Sequence, residues 1–164
     1  MDPAEQGPRP RLQATCAKPV LEQSRTWALA WVVWFITLCI LSSMTHPGPK
    51  IDVIGFDKIE HAVYFAIGGT LLLLAVTLRV KNARAALMET RWLRLAFPIF
   101  LAGAMVGWLD EWHQSFTPGR SGLDVYDWLA DLTGSLAALP LARFVLRGLA
   151  ARAERACRVS SGTP

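Results

Sequence analysis

The feature that most limits the fold of this chain is an uninterrupted run, Thr26 to Pro49, that contains no Asp, Glu, Lys or Arg. Within it, Trp27–Met44 is apolar apart from Thr and Ser. An α-helix rises about 1.5 Å per residue, so roughly 20 residues cross the hydrocarbon of a bilayer. The run therefore predicts a transmembrane helix. A cleaved signal peptide is disfavoured, because the run is long, begins late and is not followed by a small-x-small site.

Three further apolar segments are candidates for membrane spans: Ala62–Leu78, Leu95–Leu109 and Val125–Phe144. Pro98 is tolerable because it lies near the start of its helix. Only 18% of the residues are charged and 52% are hydrophobic, which is typical of a membrane protein and not of a soluble domain. We therefore predict an all-α polytopic membrane protein that folds as a four-transmembrane-helix bundle.

The basic residues predict how this bundle sits in the membrane. With four spans, the N-terminal segment, the loop at 79–94 and the C-terminal tail share one side and hold 14 of the 17 Lys and Arg residues. The positive-inside rule puts that side, and both termini, in the cytoplasm of a bacterial inner membrane. The predicted organisation is a disordered tail over 1–25, a membrane domain over 26–146 and a basic cytoplasmic tail over 147–164.

The same charge distribution limits the partners of the chain. Basic loops against the inner leaflet account for the pI near 9.3, so the lipid bilayer is the expected partner and nucleic acid is not required. The three Cys are far apart, which argues against a zinc ribbon, a redox pair or a disulfide framework. The outer side carries eight carboxylates and three basic residues.

Polar side chains concentrate at the predicted outer ends of helices two, three and four. They are Asp57, Lys58 and His61 entering helix two; Asp110, Glu111 and Gln114 leaving helix three; and Asp124, Asp127 and Asp131 along helix four. Because residues three or four apart share a face of a helix, Asp57 and His61 lie on one side of helix two. For the same reason Asp110 and Glu111 lie on the side of Gln114, and the three Asp of helix four form a continuous acidic stripe. Arg120 follows in "TPGRSG", which has the residues of a tight turn.

Asp131 is the most unusual member, because it lies about 10 Å deeper along its helix than Asp124. A carboxylate inside the hydrocarbon is costly, so the stripe should face the bundle and find a partner in Arg120, Lys58, His61 or a protonated neighbour. Simpler explanations stay open. Asp124 suits a helix N-terminus, where negative charge complements the helix dipole. Arg120 and His61 could be members of structural ion pairs, which have the same sequence pattern as a ligand-binding Arg or an acid–base His.

The candidate roles follow from residue type. Glu111, His61 and Asp127 are the candidate acid–base residues, because carboxylates and imidazole are the usual general acids and bases. The candidate ligand-binding residues are Arg120, Lys58, Gln114, Asp57, Asp110 and Asp131. No recognised metal-ligand spacing is present, so the sequence predicts no metal site, and it names no cofactor. The GxSxG, P-loop and HExxH motifs are all absent.

Three segments, "DKIEHAVYFAIGGTLL" (57–72), "DEWHQSFTPGRSG" (110–122) and "DVYDWLADLTGSLAA" (124–138), resemble the VanZ-like family of small multi-span bacterial membrane proteins. The resemblance implies a shared site at these positions: Asp57, Lys58, His61, Asp110, Glu111, Gln114, Arg120, Asp127, Asp131 and Gly134. Asp131 stands where many members of the family carry Asn. The first-named member is associated with resistance to the glycopeptide teicoplanin, so the resemblance implies a link to the cell envelope.

Two functions remain open from the sequence. The first is a polar site at the outer leaflet that binds or acts on a lipid headgroup or cell-envelope precursor, with a link to glycopeptide resistance. The alternative is a non-enzymatic membrane scaffold or partner-binding protein, in which the charged cluster is a structural ion-pair network. The excess of carboxylates over bases favours raised pKa values, a bound cation or a cationic ligand over a balanced network.

Overall fold

Four long helices account for nearly all of the protein that the structure, a computed structural model, describes. They are α1 (Ser24–Ser42), α2 (Phe56–Arg79), α3 (Leu93–Gln114) and α4 (Val125–Ser160). The described residues, 23–45, 55–79, 88, 93–120 and 122–160, contain no strand. The predicted all-α fold with four membrane-length helices is confirmed. The predictions for tail residues 1–22 and 161–164, for most of the loop at 79–94, and for Lys50 and Asp52 lie outside the described residues.

Each helix carries apolar side chains on its outer surface as well as toward its neighbours. Leu29, Ile67, Phe97 and Phe144 are exposed to between 49% and 78% in the isolated chain, one on each of the four helices. A helix that is apolar all round is stable where lipid replaces water on its outer face. Together with the lengths of the helices, these surfaces define the chain as a multi-pass membrane protein.

The helix α2 packs most extensively against α4, and this pair forms the centre of the bundle. The approach is close because Gly134 has no side chain: a Cβ there would overlap the backbone carbonyl of Ala62. Small residues at such crossings let two helix backbones come together in a membrane. The apolar core continues away from this crossing, around Leu73, Leu74 and Leu146.

The helices α1 and α3 cover this central pair. Trp34 on α1 donates its indole N–H to the backbone carbonyl of Tyr64 at 3.0 Å, and Tyr64 donates its hydroxyl to the carbonyl of Trp34 at 3.1 Å. On α3, the two glycines of the sequence GxxxG face α4. A Cβ on Gly103 would meet Ser135, and one on Gly107 would meet Asp131. The GxxxG therefore serves packing inside the chain.

The helix α4 is longer than its predicted span of Val125–Phe144. It continues to Ser160, and its membrane-length apolar segment reaches Ala153. Leu149 is still buried in the core, which explains why the helix does not end near residue 146. The predicted domain boundary at 146/147 thus falls within a continuous helix, and the basic residues that follow it, from Arg147 to Arg158, belong to α4.

Candidate functional site

The polar residues of α2, α3 and α4 meet at one end of the bundle, where the end of α1 also arrives. Thr117, just after α3, donates its hydroxyl to the carbonyl of Ser42 at the end of α1, at 3.0 Å. The turn between α3 and α4 folds back on α3, because the backbone N–H of Leu123 donates to the carbonyl of Glu111 at 3.3 Å. Gly119, with φ +82°, supplies a left-handed conformation in this turn that side chains disfavour.

Lys58 connects the start of α2 to the start of α4. Its ammonium group donates to Asp127 at 2.6 Å, to Asp57 at 2.9 Å and to Asp124 at 3.1 Å. Asp127 is buried, whereas the Asp57 side chain is 60% exposed and, among the described residues, forms its ion pair with Lys58. Three carboxylates on one ammonium group hold two helices together and leave little of its charge free for a ligand.

Asp124 has a second role as the residue that caps α4. Its Oδ1 accepts the backbone N–H of Tyr126 at 2.8 Å, as expected of the residue before the first helical turn. The hydrogen bond from the Lys58 ammonium holds the pKa of Asp124 below its usual value, and the bond from Tyr126 adds to that effect. This residue therefore fits the simpler explanation, that of a helix cap with an ion pair.

Deeper in the bundle, Asp131 pairs with His61. Its Oδ1 lies 2.9 Å from Nδ1 of His61, and its side chain is completely buried. Of the partners considered from the sequence, His61 is therefore the one in contact. The second carboxylate oxygen, Oδ2, has no hydrogen-bond partner among the described residues and lies beside Gly107.

Glu111 is almost as deeply buried, with 2% of its surface exposed. Its Oε2 accepts the backbone N–H of Asp124 at 2.8 Å, but its Oε1 has no partner within the described part of the chain. No Lys, Arg or His in that part forms an ion pair with Glu111. A buried carboxylate with a free oxygen and no counter-charge is energetically costly, so this position requires an explanation.

Arg120 is held at this end of the bundle by a chain of four hydrogen bonds, and its own partner in that chain is an amide rather than a carboxylate. Ser42 donates its hydroxyl to Oδ1 of Asp110, and Oδ2 of Asp110 accepts Nε2 of Gln114 at 2.7 Å. The amide oxygen of Gln114 then accepts both Nε and Nη2 of Arg120, at 3.1 and 2.5 Å. Asp110 and Gln114 are buried, so this chain fixes the guanidinium, and no carboxylate in the described part of the protein forms an ion pair with it.

The three candidate acid–base residues come together from three helices. One potential ligand atom each from His61, Glu111 and Asp127 lies within 4.8 Å of the other two. Sequence spacing links none of these residues to another, since each is on a different helix. His61 and Glu111 therefore lie close together, whereas the hydrogen bonds of Arg120 go to Gln114 on α3.

Two contacts at this end of the bundle involve residues that the sequence reasoning did not select. Ser42 lies in the apolar first span predicted from the sequence, yet it donates the first hydrogen bond of the chain that leads through Asp110 and Gln114 to Arg120. On α3, Nε2 of His113 lies 3.0 Å from the hydroxyl oxygen of Ser43. The sequence signal that could have identified these contacts is the Ser42–Ser43 pair at the end of an otherwise apolar run.

Glu60, which directly precedes His61 in the sequence, is exposed.

The fold and the cluster together define a class: a multi-pass membrane protein with a buried ionisable site at one end of its helix bundle. Within membrane segments such residues usually mark a functional site. Comparison of the chain with protein-family models, with curated proteins and with solved structures finds no match. The class therefore rests on the geometry of the site.

Proposed function

We propose that this protein binds the anionic headgroup of a lipid or lipid-linked cell-envelope precursor at the outer leaflet. The observation that carries the proposal is the state of Arg120. Its guanidinium is fixed in position by Gln114, yet no described carboxylate lies within ion-pairing distance of it. A planar guanidinium presents a fork of N–H donors that matches a phosphate or carboxylate group.

The position of the site supports this assignment. Arg120 lies in the turn between two membrane-length helices. In a bilayer such a turn would lie near the membrane surface, at the depth of the lipid headgroups. The distribution of basic residues along the sequence assigns that end of the bundle to the outer face of an inner membrane, with both termini in the cytoplasm. The resemblance to the VanZ-like family adds a link to the cell envelope and to glycopeptide resistance, and membership of that family is part of the proposal.

The candidate acid–base residues His61, Glu111 and Asp127 form a second, acidic part of the cluster. Lys58, assigned from the sequence to ligand binding, contributes less to this proposal because three carboxylates already surround its ammonium group. Gln114 and Asp110 act as positioning residues for Arg120. This division separates an anion-binding half of the site from an acidic half.

The scaffold alternative is favoured by one observation, the bridge that Lys58 makes between α2 and α4. In that alternative the whole cluster joins helices and has no ligand. This alternative explains the contacts of Lys58, Asp124 and Asp127. It does not explain why the described residues provide no ion pair for Arg120 and no hydrogen bond for Oε1 of Glu111. The two functions predict different results for the same substitution.

The test is lipid binding measured by native mass spectrometry of the detergent-purified protein, titrated with phosphatidylglycerol and, in parallel, with zwitterionic phosphatidylcholine. We expect preferential retention of phosphatidylglycerol by the wild type, and a loss of about tenfold in Arg120→Lys, because Lys keeps the charge but lacks the fork. Arg94→Lys is the matched control, since Arg94 is an exposed arginine at the other end of α3.

Equal retention of both lipids by the wild type, or unchanged retention in Arg120→Lys and in Arg120→Gln, would contradict headgroup binding and leave the scaffold. A teicoplanin-susceptibility assay on cells that carry the same variants tests the envelope link separately. Loss of the phenotype in Arg120→Lys, with unchanged expression and melting, is the outcome that we expect.

A further inference from the structure

The acidic half of the site has the composition and burial of a metal centre. The potential ligands are one imidazole nitrogen of His61 and one carboxylate oxygen each of Glu111 and Asp127, all within 4.8 Å of one another. We propose that these three side chains bind a single divalent transition-metal ion of the zinc or manganese type. This site is distinct from the contacts of Arg120, and its occupancy does not depend on headgroup binding.

The free oxygen of Glu111 is the independent observation that points to a ligand. Glu111 is 2% exposed, and its Oε2 already accepts the N–H of Asp124, while its buried Oε1 has no hydrogen-bond partner among the residues that the structure describes. Lys58 forms ion pairs with Asp57, Asp124 and Asp127 but none with Glu111. A metal ion would supply both the missing contact and the missing positive charge.

His61 is oriented in the way that metal-binding histidines usually are. Its Nδ1 lies against Asp131, so a neutral ring that donates there keeps the lone pair of Nε2 for a metal. Histidine ligands generally donate their other ring N–H to a carboxylate, which fixes the tautomer and the ring direction. Because Asp131 is completely buried, it holds the ring firmly, and we assign it as a positioning residue.

The spacing of the three atoms suits such an ion after a small adjustment. Bonds of about 2.0 to 2.2 Å hold tetrahedral ligand atoms about 3.3 to 3.6 Å apart, so the widest separation present closes by at most about 1.5 Å. Rotation of side chains about their own bonds covers that distance. Lys58 contacts Oδ1 of Asp127, so the other carboxylate oxygen, Oδ2, is the one that Asp127 would offer to the metal.

The ligand set also selects the kind of metal. One imidazole with two carboxylates favours zinc or manganese over calcium, which takes six to eight oxygens, and over magnesium, which prefers oxygen ligands in strict octahedral geometry. Three protein ligands leave a further coordination position for water or a phosphate oxygen, the arrangement of catalytic rather than structural zinc sites. The sequence contained no recognised spacing because the three ligands come from three helices.

The experiment uses the full chain, purified in detergent with its affinity tag removed, stripped of metal and reloaded with Zn²⁺ or Mn²⁺. Elemental analysis after gel filtration should find about one ion per chain, and Co²⁺ should give visible absorption bands typical of nitrogen and oxygen ligands. Glu111→Gln and His61→Gln should each bind at least tenfold more weakly. Glu60→Gln, which removes an exposed carboxylate beside the cluster, should bind as the wild type does.

Asp131→Asn separates positioning from coordination: we expect the same stoichiometry with an affinity about 10- to 100-fold lower. If a ligand variant misfolds, the wild type still decides, because a specific ion should raise its melting temperature progressively as the free ion concentration exceeds Kd. The absence of saturable binding by the wild type overturns the proposal. Binding that is unchanged in both Glu111→Gln and His61→Gln overturns it equally, whatever the outcome of the lipid titration.

Discussion

Replacing Asp131 with Asn tests what the deepest carboxylate of the bundle does. A buried ion pair that loses one member usually costs about 3–5 kcal/mol, because the remaining charge is stranded. The partner here is His61, which can give up its proton and become neutral. Asn keeps an acceptor oxygen at the position of Oδ1, 2.9 Å from Nδ1 of His61, so a hydrogen bond survives the substitution.

The expected cost is therefore the difference between a charge-assisted and a neutral hydrogen bond, about 1 kcal/mol. Asp131→Ala is the matched comparison, since it removes the acceptor as well and leaves the N–H of His61 without a partner. That variant should lose about 2–3 kcal/mol or more, because an unsatisfied group and a cavity are both created.

The loss in free energy of unfolding of each variant can be measured by unfolding the purified protein with SDS in mixed micelles. Unfolding is followed through the fluorescence of the seven Trp residues. Asp131→Asn should insert, fold almost normally and lose the cellular phenotype that the wild type confers. A loss of 3–5 kcal/mol in the Asn variant, equal to that of the Ala variant and parallel to the loss of phenotype, would refute the reasoning and make Asp131 a structural ion-pair member.

Three further outcomes are expected. The pKa of Asp124 is lowered in the folded state by its hydrogen bond with Lys58. Its contribution to stability is therefore complete above the unfolded pKa, about 3.9, and is lost as the pH falls through the folded pKa. Asp124→Asn should flatten that acid-side decline in melting temperature. Gly134→Ala would force the crossing backbones of α2 and α4 apart and should destabilise the fold by several kcal/mol, seen as a lowered SDS midpoint, whereas Gly148→Ala, in open space, should not. Cysteine labelling of intact cells should reach positions 117–122 and not 80–90, and ready labelling of the latter would contradict the assigned topology.

The sequence predicted the helices well because membrane spans are decided locally. A run without charge such as Thr26–Pro49 cannot satisfy its backbone in lipid except as a helix, whatever its neighbours do. The ends of helices were predicted less well. The continuation of α4 beyond Phe144 depends on the packing of Leu149 against other helices, which no local pattern expresses.

The candidate site shows the same division. Charge in an apolar chain selected Glu111, His61 and Asp131 from the sequence, because a carboxylate or imidazole inside a bundle is too costly to occur without a partner. Spacing along one helix also related Asp110 to Gln114. The composition of the polar cluster and its place at one end of the bundle follow from such local facts.

Only the tertiary structure decided how the cluster is connected. Asp131 pairs with His61 rather than with Arg120, and Lys58 forms ion pairs with three carboxylates. One oxygen of Glu111 has no hydrogen-bond partner among the described residues. These choices depend on how closely the helices cross, which is set by the missing side chain of Gly134 and by packing between residues far apart in the chain. Helix formation in lipid is a property of a segment, whereas the partner of a buried charge is a property of the distances between segments.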